Sequence, residues 1–191
     1  MSTPNLTFVL GGARSGKSRH AEQLADTLAS LPPTRPVTYI ATAREAADAE
    51  FAARIAHHRA RRPAHWRVVE ADVDLAHALA NADDGRTCVL IDCLTLWLAN
   101  LLCPAGAEHD IPPRADHHAH LHAFEAALTQ ARGPVIVVSN EIGLGVVPLG
   151  AVTRHYVDEL GRLNQRVAAL AREVTLMVAG LPLTVKSEHA Q

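Results

Sequence analysis

Leu6-Thr7-Phe8-Val9-Leu10-Gly11-Gly12-Ala13-Arg14-Ser15-Gly16-Lys17-Ser18 is the stretch on which the reading of this chain turns. Gly11 to Ser18 fits the spacing G-x-x-x-x-G-K-[ST]. In that pattern glycines let backbone N–H groups converge on phosphate oxygens, the lysine reaches the terminal phosphates, and the hydroxyl ligates Mg²⁺. The flanks agree with the motif. Thr7 to Leu10 is a short apolar run suited to a buried strand, and Ala21, Leu24, Ala25 and Leu28 recur at helical spacing after Ser18. Strand, loop and helix therefore occur in the order that points a helix N-terminus at a bound anion.

Working outward, further strands are expected at Val37–Ala41, Trp66–Glu70, Cys88–Asp92, Val135–Ser139 and Val174–Ala179, with a short antiparallel edge strand at Leu183–Lys186 after a turn at Gly180-Leu181-Pro182. Between them lie helical patterns at Glu45–Arg62, Leu75–Leu79, Leu94–Leu102, Asp116–Arg132 and Val152–Arg172. The longest irregular stretch runs from Cys103 to Pro113. Alternating strands and helices without an internal repeat give a three-layer α/β domain with a mainly parallel sheet, residues 1–191 forming one unit. Ligands of such sheets bind at the carboxyl edge. Thr42, Ala43 and Arg44 follow one strand there, Asp92 ends another, and Asn140 and Glu141 end a third. An apolar strand ending in an acid is what a phosphate-loop protein needs for its second Mg²⁺ contact, so Asp92 is paired with Ser18 as a metal-holding residue.

The 191 residues are 48% hydrophobic, enough for one substantial core, and carry 18 Lys and Arg against 20 Asp and Glu. That balance argues against a surface adapted as a whole to nucleic acid or anionic lipid, and aromatic residues at 4% offer no stacking platform for RNA. Cys88, Cys93 and Cys103 are odd in number and lack metal-ligand spacing, which fits a reduced cytoplasmic protein. No signal-type N-terminus or apolar run of membrane-spanning length is present in the sequence. His117, His118, His120 and His122 share one helix, and the 118/122 pair has a spacing that can bind an ion. Without a Cys or a carboxylate on the same face, they read as a solvated helix face.

The charge is concentrated elsewhere. From Phe51 to Val69 there is no acidic residue, while Arg54, Arg59, Arg61, Arg62 and Arg67 accompany His57, His58 and His65. On a helix, His58 shares a face with Phe51, Ile55 and Arg62, and His57 is turned about 100° away. A histidine on such a face is ordinarily a core residue, but the arginines around this one would gather polyphosphate beside it.

Several segments together resemble the bifunctional adenosylcobinamide kinase / adenosylcobinamide-phosphate guanylyltransferases. They are Gly11 to Glu22, Tyr39-Ile40-Ala41-Thr42, Ala53-Arg54-Ile55 with His57-His58, Arg62-Pro63-Ala64-His65-Trp66-Arg67, Asn140-Glu141 with Gly143, Gly145 and Val147-Pro148, and Gly161 to Arg166. The likeness spans nearly the whole chain, and the paired histidines near Arg-Pro-x-His-Trp are far more specific than the phosphate loop. The resemblance implies a RecA-like P-loop NTPase fold and two reactions. ATP or GTP phosphorylates the aminopropanol hydroxyl of adenosylcobinamide, and GTP then supplies GMP to that phosphate by way of a covalent histidine. His58 matches the attachment point.

By the same resemblance, nucleotide contacts fall at Leu10, Gly11, Gly12, Ala13, Arg14, Ser15, Gly16, Lys17 and Ser18, at Ala41, Thr42 and Ala43, at Arg59, Ala60, Arg61 and Arg62, and at Glu70 and Asp92. It also implies Mg²⁺ and a homotrimer. The chain departs from the family pattern at Asp92, where Glu is frequent, and at Ala43, where a polar residue is frequent. The residues taken alone stop at a Mg²⁺-dependent nucleotide triphosphate enzyme; a monofunctional small-molecule kinase or a nucleotide-dependent switch would need no histidine.

Overall fold

In the computed structural model, which describes residues 5–44, 52–53, 55–56, 59–60, 62–103 and 116–188, the chain forms a seven-stranded sheet between helices. The elements are β1 Leu6–Gly11, α1 Lys17–Ser30, β2 Val37–Ala41, β3 Arg67–Glu70, α2 Leu75–Ala82 and β4 Cys88–Asp92. They continue as α3 Leu94–Leu102, α4 His117–Gln130, β5 Val135–Asn140, α5 Ala151–Leu170, β6 Glu173–Val178 and β7 Leu181–Ser187. Residues 52–53, 55–56 and 59–60 are also helical. The strand order is β3-β2-β4-β5-β1-β6-β7, parallel throughout except for the antiparallel β6–β7 pair.

Burial follows from that order. The central strands β4 and β5 are almost continuously buried, as parallel strands covered on both faces must be. Side chains alternate between two cores. Phe8, Ile40, Ile91 and Val137 point to the layer of α2, α3, α4 and α5, where Trp97 and Phe124 meet at 5.0 Å. Val9, Tyr39, Leu90 and Val138 point to the opposite layer, built on Ala21 and Ala25 of α1. Alanines there let α1 lie close to the sheet, which brings the phosphate loop down onto the strand ends. Among the described residues no helix is long and apolar enough to cross a membrane.

Some boundaries differ from the sequence reading. Trp66 is buried but precedes β3. The expected turn at Gly180-Leu181-Pro182 is instead made by Ala179 and Gly180, both with positive φ, so the strand has already resumed at Leu181. Pro182 is accommodated because β7 is an edge strand. After α1 ends at Ser30, Arg35 N–H bonds back to Ala29 O at 2.9 Å. On α5, Glu159 and Asn164 are buried beside Leu160 and Leu163, while Leu170 is only partly covered. The parts of the expected helix and irregular segment at 45–51 and 104–115 lie outside the described residues.

One clasp sets the height of the sheet edge. Thr42 is fully buried; its Oγ1 donates to Cys93 O at 2.7 Å and accepts from Cys93 N–H at 2.8 Å. Asn100 Nδ2 donates to Thr42 O at 2.8 Å and to Asp72 O at 3.0 Å. The ends of β2 and β4 are thereby locked together. Thr42→Val keeps the shape and removes both hydroxyl bonds, leaving the Cys93 N–H without its partner. A loss of about 2 kcal/mol is expected, read as a fall in Tm of about 4–8 °C in thermal unfolding.

Candidate active site

The phosphate loop begins where β1 ends. Gly11 is registered with Asn140 on one side and Met177 on the other. A Cβ on Gly11 would lie 2.4 Å from Ser15 Oγ and 2.9 Å from Met177 O, so a side chain cannot enter there without moving the loop. Arg14, with φ 57°, and Gly16, with φ 93°, both take the left-handed conformation as the chain reverses into α1. Ser15 N–H bonds Gly12 O at 3.3 Å, and Gly180 N–H bonds Ser15 O at 3.0 Å. The β6–β7 turn thus buttresses the loop from behind, with Gly180 Cα 3.4 Å from where a Cβ on Gly16 would stand. Nothing lies within 4 Å of a Cβ built on Gly12, so the loop is open on its outer side.

Lys17 and Ser18 open α1, both half-buried, and Lys17 Nζ donates to Gly12 O at 3.1 Å. Burial lowers the Lys17 pKa, against the opposing pull of the Asp92 carboxylate. A partly desolvated ammonium aimed into a loop is primed for phosphate oxygens, which return what water no longer supplies. Burial also raises the Cys93 thiol to about 11, so it stays neutral beside Asp92.

Asp92 ends β4 and is half-buried. The register pairs Tyr39 with Leu90 and Ala41 with Asp92, which sets Tyr39 diagonally across from Asp92 on one face of the sheet. A tyrosine is long enough to span that diagonal, and its hydroxyl donates to Asp92 Oδ2 at 2.9 Å. Burial, with the nearby Asp92 carboxylate, holds the phenol well above its usual range. On the ring of Tyr39 lies Arg62, its guanidinium carbon 3.6 Å from the centroid, a cation–π contact in a desolvated setting. Arg62 N–H closes a turn onto Arg59 O, and Arg59 pairs with Glu70 at 2.8 Å at the end of β3.

The predicted residues therefore fall into groups. Leu10 and Gly11 to Ser18 form the loop, and Asp92 stands near Lys17. Ala41, Thr42 and Ala43 lie at the adjacent strand end, though the Thr42 hydroxyl is already engaged with Cys93. Arg59 and Ala60 are exposed, and Arg59 and Glu70 are joined to each other. His57, His58 and Arg61 lie outside the described residues. Of the α4 histidines, His118 and His122 are exposed, and His120 contacts Asp116 at 3.3 Å. Among the described residues no group of three His, Cys, Asp or Glu is placed to hold a metal. The oxygens of Ser18 and Asp92 are the hard donors that Mg²⁺ prefers alongside phosphate.

Sequence reasoning gave Tyr39 no role of its own and missed the Gly180 buttress and Asn100. Tyr39 could have been found from the strand register; the Gly180 contact joins residues too distant in the chain to leave a local signal.

Glu141 N–H bonds Gly11 O at 3.2 Å, and Glu141 Oε1 accepts from Gly143 N–H at 2.8 Å. The segment that follows and the facing side of α5 border an open groove of about 580 Å³, with Val146, Val147, Pro148, Arg154, Asp158 and Arg162 among its lining.

Comparison with known proteins places this geometry. The cobinamide kinase / cobinamide phosphate guanyltransferase family model matches residues 7–185. The chain is 50% identical over 181 residues to the bifunctional adenosylcobalamin biosynthesis protein CobP of Pseudomonas aeruginosa, covering 95% of this chain and 97% of that one. It is 42% identical over 192 residues to the corresponding CobU protein of Salmonella typhimurium, covering 95% and 99%. In fold it is similar to a KaiC-like protein of Pyrococcus horikoshii, with a TM-score of 0.51 at 14% identity over 91% of this chain and 71% of that one. That likeness bears out the RecA-like P-loop architecture.

Gly11→Ala is expected to weaken GTP binding more than tenfold, because the loop must shift to admit the methyl group. Gly12→Ala, which meets no atom, should leave Tm unchanged. Nucleotide titration and thermal unfolding of the two variants check the contrast.

Proposed function

This chain belongs to the cobinamide kinase / cobinamide phosphate guanyltransferase family, and we propose that one nucleotide cradle serves both reactions, with His58 carrying GMP between them. The activities are phosphorylation of cobinamide and guanylyl transfer to the product in adenosylcobalamin biosynthesis. The observation that supports a shared cradle is the contact of Arg62 with Tyr39, whose hydroxyl holds Asp92. It sets Arg62, which follows His58 by four residues in the chain, against the tyrosine that bonds the carboxylate near the phosphate loop.

In the kinase step the loop N–H groups and Lys17 hold the β- and γ-phosphates of ATP or GTP. The aminopropanol hydroxyl of adenosylcobinamide attacks the γ-phosphorus, the bond to the β-phosphate oxygen breaks, and a nucleoside diphosphate leaves. Of the two acids at this edge, Glu141 takes the hydroxyl proton, since Asp92 is assigned to the metal. In the guanylyl step a neutral imidazole nitrogen of His58 attacks the α-phosphorus of GTP in line, and pyrophosphate leaves. A phosphate oxygen of adenosylcobinamide phosphate then attacks the same phosphorus. The P–N bond breaks, histidine is restored, and adenosylcobinamide-GDP is formed. Arg59, Arg61 and Arg62 compensate phosphate charge during the transfers and disfavour protonation of the histidine.

Ser18 and Asp92 would hold Mg²⁺, which when bound neutralises charge on the phosphates. Ala41, Thr42, Ala43, Ala60 and Glu70 complete the nucleotide site. The groove beside Glu141 is read as the seat of the corrinoid, its apolar and charged lining suited to a large macrocycle rimmed with amides. Residues 1–191 act as a single domain in the cytoplasm, where the three free cysteines remain reduced. A homotrimer is proposed from the family resemblance, and exposed Leu181, Leu183 and Val185 on β7 offer apolar surface for it.

Incubation with α-labelled GTP and Mg²⁺ is expected to leave label on the protein through an acid-labile, alkali-stable bond, and His58→Ala to abolish it. Full labelling of that variant assigns the nucleophile to His57 instead, and an unlabelled wild type that still phosphorylates cobinamide reduces the protein to a kinase. Sedimentation equilibrium should give the mass of three chains; a monomer at micromolar concentration removes the trimer.

A further inference from the structure

We infer that Tyr39 is a positioning residue for the Asp92 carboxylate, and that Arg62 on its ring ties that carboxylate to the segment carrying the histidine pair. The inference rests on the reading of Asp92 as a metal-holding residue. Four observations carry it. Tyr39 is 1% exposed, yet its one polar atom is placed on a carboxylate rather than on backbone or solvent. The hydroxyl reaches Asp92 along the diagonal register of β2 on β4, on the sheet face that Tyr39 shares with Leu90 and Val138. The acceptor is Oδ2, which leaves Oδ1 for a cation. Arg62 covers the ring, its guanidinium carbon 3.6 Å from the centroid.

A carboxylate that binds a metal on one oxygen is oriented by a donor on the other, and losing such a partner typically weakens metal affinity about 10–100-fold. A phenylalanine in this position would fill the core equally well. What the hydroxyl adds is the orientation of Asp92. The arginine adds connectivity: it follows His58 by four residues, and Arg59 anchors the same turn to Glu70.

The test is Mn²⁺ binding to the full-length protein in the presence of GTP, followed by the electron paramagnetic resonance signal of free Mn²⁺. Wild type, Tyr39→Phe, Asp92→Asn and the double variant are compared, with Tm recorded for each. Tyr39→Phe is expected to bind Mn²⁺ about tenfold more weakly. In the Asp92→Asn background, the same change should alter the affinity less than twofold, because there is no longer a carboxylate to orient. Weakened binding in Asp92→Asn beside wild-type affinity in Tyr39→Phe overturns the positioning role alone, as do losses that simply add in the double variant. Wild-type affinity in Asp92→Asn overturns the metal assignment together with this inference.

Discussion

The structure depends on how closely backbone is packed around Gly11. β5 and β6 flank β1 there, and the Ser15 hydroxyl and the Met177 carbonyl occupy the space a side chain would need. This squeeze turns the end of a strand into a phosphate cradle. With no side chain in the way, the loop can fold back on itself, bury Ser15 and start α1 directly above the sheet. The alanine face of α1 then settles onto the second core, and the C-terminal hairpin closes the back of the loop through Gly180. The loop is therefore made rigid by strands that come from the far end of the chain.

Around that cradle the charges are arranged by degree of burial. Lys17 is desolvated enough to have its pKa lowered, yet retains Asp92 nearby. Asp92 in turn receives the Tyr39 hydroxyl, and Tyr39 receives Arg62. Cation, carboxylate, phenol and cation alternate across α1, β4, β2 and the turn at Arg62. Each member stabilises the next, so a nucleotide phosphate entering at Lys17 meets a site whose charges are already ordered. The clasp of Thr42, Cys93 and Asn100 below supplies a fixed floor, because buried hydroxyl and amide groups with satisfied bonds resist displacement.

Strand and helix positions were legible wherever one periodicity dominated. Val37–Ala41, Cys88–Asp92 and Leu94–Leu102 match the structure residue for residue, being short apolar runs bounded by turn residues. The hairpin was misplaced because Pro182 signals a turn in sequence, while the turn itself used Ala179 in an uncommon positive-φ conformation. The burial of Glu159 on α5 was also not anticipated, because an acid on a long helix reads as surface even when Arg162, three residues on, stands ready to pair with it. Thr42 was read as a nucleotide contact from its place at a strand end, and its hydroxyl proved to be occupied by backbone fifty-one residues away.

The sequence by itself determined that this chain binds nucleotide phosphates and which family it joins. A phosphate loop and a histidine pair amid arginines are local patterns, legible from residue type and spacing alone. Only the tertiary structure decided what holds Asp92, the acid read from its strand end, in place near the lysine. The strand order puts β5 between β1 and β4, and the β2–β4 register sets Tyr39 across from Asp92. Such contacts arise from pairings between segments some fifty residues apart, where hydrogen-bond geometry and core packing choose the partners and no spacing within the chain can record them.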